Sequence, residues 1–183
     1  PTVLTERPVK GPLSSLFERE SINSEQKFCM ICGILSAIQF INKGKLIHSN
    51  LNPSTIYVDE KFRVKVCDYI FIPSFYRINK INSIFSFSKK PNPSEFYKNG
   101  LYTAPEIIKG DDSFNEMVDI YSIGLIIFFI LFEKDPTFSN GFIEFPSEIN
   151  QYWKYLITRC TNKKVSLRPS VNSILSNLLD NKN

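Results

Sequence analysis

The stretch His48-Ser49-Asn50-Leu51-Asn52-Pro53-Ser54-Thr55-Ile56-Tyr57-Val58, taken up again by Val64-Lys65-Val66-Cys67-Asp68-Tyr69-Ile70, decides how the rest of this chain is read. Two short runs, Thr55 to Val58 and Phe62 to Cys67, alternate β-branched and aromatic residues with polar ones and flank Asp59-Glu60. That pattern predicts a small β-hairpin over residues 55–67. A polar loop enters the hairpin and a single carboxylate, Asp68, leaves it.

Upstream, Ser24-Glu25-Gln26-Lys27 predicts a helix start with Ser24 as cap and an acid in the first turn. Phe28, Ile31, Leu35 and Ile38 then recur at helical spacing, widened by Cys32, Ile34 and Ile41. Gly44 is expected to close this helix in a left-handed conformation. Before it, Leu13 to Glu20 predicts a short helix with Leu13, Leu16 and Phe17 on one side. Glu6 to Pro12 is a breaker-rich linker, and Thr2 to Thr5 an apolar strand.

Downstream, Phe71 to Asn99 has no steady period, which marks either a functional loop or disorder. Pro105 sits in the first turn of a short helix over 102–108. Met117 to Phe132 is apolar on every face, so it predicts a helix buried all round. Its uncharged part, Ile120 to Phe132, is shorter than the ~20 residues a bilayer needs, which excludes a membrane span. Glu133 to Ser147 reads as loop, with turns at Asp135-Pro136 and Asn140-Gly141. Two further helices follow. Ile149, Tyr152, Trp153, Leu156, Ile157 and Cys160 mark 148–160, and Val171, Ile174, Leu175 and Leu178 mark 170–179 with Ser170 as cap.

The 183 residues, 43% of them hydrophobic, suffice for one core and a single domain over 1–183. The net charge of +4 is carried by scattered Lys and Arg. With no basic stripe, nucleic-acid binding is not expected. Cys29, Cys32, Cys67 and Cys160 lack a metal-binding spacing and read as buried free thiols in a reducing, cytoplasmic compartment. No signal peptide opens the sequence, and Pro1-Thr2-Val3-Leu4 reads as cut from something longer.

Taken in order, these motifs resemble the C-terminal lobe of the protein kinase family. The family's catalytic loop, H-R-D-x-K-P-x-N, is matched in spacing by His48 to Thr55. His48, Leu51 and Pro53 keep its scaffolding residues. Asn50 stands at the catalytic Asp position, and an amide can hydrogen-bond a hydroxyl but cannot take its proton. Asn52 replaces the Lys that faces the transferring phosphate, and Thr55 replaces an Asn that holds magnesium. Ser49 replaces the Arg that pairs with a phosphorylated activation loop. Asp68-Tyr69-Ile70 resembles D-F-G, so Asp68 is the implied magnesium ligand, while β-branched Ile70 stiffens a position the family leaves to Gly.

Ala104-Pro105-Glu106 is similar to A-P-E letter for letter. The resemblance implies a buried salt bridge between Glu106 and Arg168, and a role for Asp119 in holding the catalytic-loop backbone. Thr5, Glu6 and Pro8 fall on the hinge that contacts adenine, where Pro8 lacks the N–H donor the family uses. Trp153, Cys160 and Arg168-Pro169 are similar to the tyrosine-kinase-like branch, and the interval from Phe138 to Pro146 is too short for the family's usual extra helix.

The implied fold is mainly α: a kinase C-lobe built around the buried helix 117–132, with the hairpin 55–67 at its edge. Residues 1–12 would end the last N-lobe strand and form the hinge, 13–183 the helical lobe, and the N-lobe would be absent. The implied function is that of a catalytically impaired pseudokinase, acting as protein-binding scaffold or allosteric regulator. The alternative is a weak or atypical protein kinase whose N-lobe lies upstream. No cofactor is expected in the first case and Mg-ATP in the second. The expected partners are proteins, such as another kinase domain or the upstream N-lobe, with neither nucleic acid nor membrane.

Overall fold

The computed structural model describes residues 8–67, 100–109 and 115–180. The fold is mainly α with a small antiparallel sheet. In chain order the elements are β1 (Gly11–Pro12), α1 (Ser24–Lys43), β2 (Ile56–Val58), β3 (Val64–Val66), α2 (Pro105–Ile108), α3 (Met117–Phe132), β4 (Phe138–Ser139), β5 (Phe142–Ile143), α4 (Gln151–Cys160) and α5 (Val171–Asp180).

The core is organised around α3. Every residue from Val118 to Ile130 is buried, as its all-round apolarity requires. Phe128, 1% exposed, packs against Phe132 and Phe145 with ring centroids 4.6 and 6.0 Å apart. Burying such a ring contributes about 1.5–3 kcal/mol. Helix α3 packs against both α4 and α1, and α1 packs in turn against α5. Close approach of α3 and α4 depends on Gly124. A Cβ there would fall 2.7 Å from Cys160 Cβ and 2.9 Å from Thr161 Cγ2. Cys160 Cβ is fixed by its own backbone and cannot swing aside, and Thr161 Cγ2 could turn away only by giving up the rotamer in which Oγ1 donates to the Ile157 carbonyl at 2.8 Å. Gly124→Ala should therefore destabilise by about 1–3 kcal/mol, despite the better helix propensity of Ala. A urea midpoint that stays level or rises would show that the two helices can part at no cost.

Helix α1 begins at Ser24, but its cap is Asn23, not Ser24. The Asn23 side chain accepts from Gln26 N at 2.9 Å, and Gln26 Oε1 accepts from Asn23 N at 2.9 Å. This reciprocal capping box satisfies two otherwise orphaned donors. Asn23→Ala should cost about 1 kcal/mol in thermal or urea unfolding, and an unchanged midpoint would show that the box adds nothing. At the other end Gly44 has φ −75°, and it is Lys45 that turns left-handed, with φ 57°.

Other expectations are corrected. Leu13–Ser15 is a single 3₁₀ turn, not a helix reaching Glu20. Leu13 and Leu16 are nevertheless fully buried. The breaker-rich linker contains β1, which pairs antiparallel with β2 in the order β1-β2-β3. Pro12 is tolerated because β1 is an edge strand that needs no donor there. The loop after α3 holds the hairpin β4–β5, turned by Asn140 (φ 53°) and Gly141 (φ 78°), a pair suited to the tight turn with two positive φ values. Of the cysteines only Cys160 is buried. Cys29 is exposed, Cys32 and Cys67 intermediate. The Thr2–Thr5 strand and the 71–99 connection lie outside the described residues. No described helix is long and apolar enough to cross a membrane.

Candidate functional site: the loop between α1 and β2

The loop from His48 to Thr55 is anchored from below by α3. Asp119, fully buried, accepts from His48 N at 2.8 Å and from Ser49 N at 2.7 Å, one through each carboxylate oxygen. These bonds hold Ser49 at φ 60°, a conformation a non-glycine residue adopts only when its surroundings impose it. Burial pushes the Asp119 carboxyl up to about 7, against the two N–H donors that pull it down.

The imidazole of His48 is fully buried and ties the loop to the end of β3. Its Nδ1 accepts from Asn50 N at 3.2 Å, and its Nε2 lies 3.0 Å from the Cys67 carbonyl oxygen. The two contacts together specify the neutral tautomer with the proton on Nε2. His48 thus joins residue 50 to the backbone just before Asp68.

The polar residues that follow are turned on one another. Asn52 is only 3% exposed. Its Oδ1 accepts from Ser54 N at 2.9 Å, and its Nδ2 donates to the Asn50 carbonyl at 3.0 Å, with Asn50 Oδ1 at 3.5 Å. Thr55 Oγ1 accepts from Asn52 N at 3.1 Å and lies within donating distance of the carbonyls of Asn50 and Asn52, at 3.1 and 3.0 Å. Asn52 and Thr55 therefore work as turn-formers whose polar atoms are taken up inside the loop. Sequence reasoning did not foresee this closure. The signal was the Asn52-Pro53 pair, a strong turn initiator followed by two hydroxyl residues.

Beside the loop lies an open groove of about 380 Å³, lined by Ser14, Pro53, Ser54, Leu101, Tyr102 and Asp135 among others. Tyr102 donates its hydroxyl to Asp135 Oδ1 at 2.6 Å. Burial first, and then Asp135, hold this phenol well above its ordinary range.

Glu106 and Arg168, 62 positions apart in sequence, form a bidentate pair, Nη1 to Oε1 at 2.5 Å and Nη2 to Oε2 at 2.9 Å. The Arg168 side chain is fully buried and that of Glu106 is 10% exposed. Arg168 also donates to the carbonyls of Met117 and Asn162, each at 2.9 Å, and lies over the Tyr121 ring. It therefore fastens α2, the start of α3 and the loop after α4 at one point.

Pro8 is buried, and its carbonyl accepts from Gly11 N at 3.0 Å. Thr5, Glu6 and Asp68 lie outside the described residues.

The profile of the protein kinase domain matches residues 2–179. The chain belongs to the protein kinase family. Among its relatives is the putative serine/threonine-protein kinase/receptor R826 of Acanthamoeba polyphaga mimivirus, 25% identical over 189 residues, which are 94% of this chain and 11% of that protein. Dual specificity protein kinase shkC of Dictyostelium discoideum is 26% identical over 196 residues, 96% of this chain and 36% of that one. Atrial natriuretic peptide receptor 2 of Anguilla japonica is 28% identical over 155 residues, 81% of this chain and 14% of that one. The chain thus spans about a tenth to about a third of these relatives.

Within this kinase-family frame, Asn50, Asn52 and Thr55 carry no charge to offset phosphate. Asn52 and Thr55, moreover, have their side chains committed to the loop itself.

Proposed function

We propose that this chain is the C-terminal lobe of a degenerate protein kinase, a pseudokinase, which binds other proteins as a scaffold or allosteric regulator. The observation that carries this reading is the loop of Asn50, Asn52 and Thr55. Phosphoryl transfer needs a carboxylate to orient the acceptor hydroxyl, metal ligands, and cations to spread the phosphate charge. The loop supplies an amide that cannot take a proton, and a second amide engaged by Ser54 N and the Asn50 carbonyl. The frame around it is kept: Asp119 under the loop, His48 across to Cys67, and the Glu106–Arg168 pair. A fold retained without its charged groups suits binding better than turnover. Trp153, Cys160 and Arg168-Pro169 support placing it near the tyrosine-kinase-like branch. The open groove beside Ser54 and Tyr102 offers a surface for a protein partner.

The test is phosphate transfer by the natural full-length protein, with magnesium and with manganese, beside an Asp68→Ala variant. The expected result is no turnover above that variant. Robust turnover abolished by Asp68→Ala would overturn the proposal in favour of the second reading, a weak kinase resting on Asp68. Restoring Asn50→Asp alone should not create activity, since Asn52 and Thr55 still leave the phosphate charge unopposed.

A further inference from the structure

We draw no further inference here: the strongest candidate, the solvent-facing stripe of α1 that carries Cys29, Ser36 and the 79% exposed Phe40, is an unpartnered surface, and nothing in the structure shows what covers it.

Discussion

Replacing Arg168 by Met is expected to destabilise the fold by about 3–5 kcal/mol, the cost of breaking a buried ion pair from one side. The carboxylate of Glu106 would stay 10% exposed with no cation to face. The carbonyls of Met117 and Asn162 would each lose a donor, adding to the loss. Lys would not rescue the site, because one ammonium cannot reproduce the planar fork that reaches both Glu106 oxygens and two carbonyls. Urea unfolding of Arg168→Met, Arg168→Lys and Glu106→Gln measures this. The double variant Glu106→Gln with Arg168→Met should recover part of the loss, since the stranded charge is gone, but not the part due to the two carbonyls. A fall in stability under 1 kcal/mol for Arg168→Met would mean that water replaces the guanidinium, and that the junction of α2, α3 and the loop after α4 is looser than its hydrogen bonds indicate.

The same junction illustrates what the sequence makes legible. The helices were readable because their apolar periodicity is long. α3 is buried from Val118 to Ile130, α1 and α4 lie within the segments that periodicity marks, and α5 runs one residue past its segment, to Asp180. What stayed hidden depended on short-range polar chemistry or on partners distant in sequence. The hairpin spans residues 55–67 as expected, its open end closed by Cys67 N donating to the Thr55 carbonyl at 2.8 Å, but its strands are only three residues each because Asp59 builds a wide turn. Its Oδ1 accepts from Lys61 N and Arg63 N, which leaves Phe62 at φ 58° and delays β3 to Val64. β1 was invisible because Gly11 and Pro12 signal a break locally, and pair only because β2 returns beside them. Asn23 displaced Ser24 as cap because Gln26 stands at the position that completes a reciprocal box with Asn23.

At the site, the identity of residue 50 was visible at once, yet the inward turn of Asn52 was not. Spacing states which residue occupies a position. It does not state whether a short amide there reaches outward, as a long cationic side chain would, or closes onto the backbone two residues away.

Asp119 gives the second large effect and the one that probes the site itself. Asp119→Ala removes the acceptors of His48 N and Ser49 N together. At about 1–3 kcal/mol for each buried N–H left without a partner, the expected loss is about 2–6 kcal/mol. Ser49 should also shift from its left-handed conformation, since the bonds from Asp119 to His48 N and Ser49 N no longer position it. Backbone amide shifts of residues 48–52, or their hydrogen exchange, should respond before the rest of the core does.

Asp119→Asn removes the titrating group while keeping an acceptor for only one of the two N–H donors, so its pH dependence, not its absolute stability, reports the charge. Burial raises the folded carboxyl from its ordinary 3.8 to about 7. Between those values the unfolded chain gives up a proton that the folded chain keeps. The contribution of Asp119 is therefore complete at low pH and declines as pH rises through about 7. The stability advantage of the native protein over Asp119→Asn should accordingly shrink between about pH 4 and about pH 8. An advantage that grows with pH would show that the two backbone donors outweigh burial, and that the loop rests on a permanent negative charge.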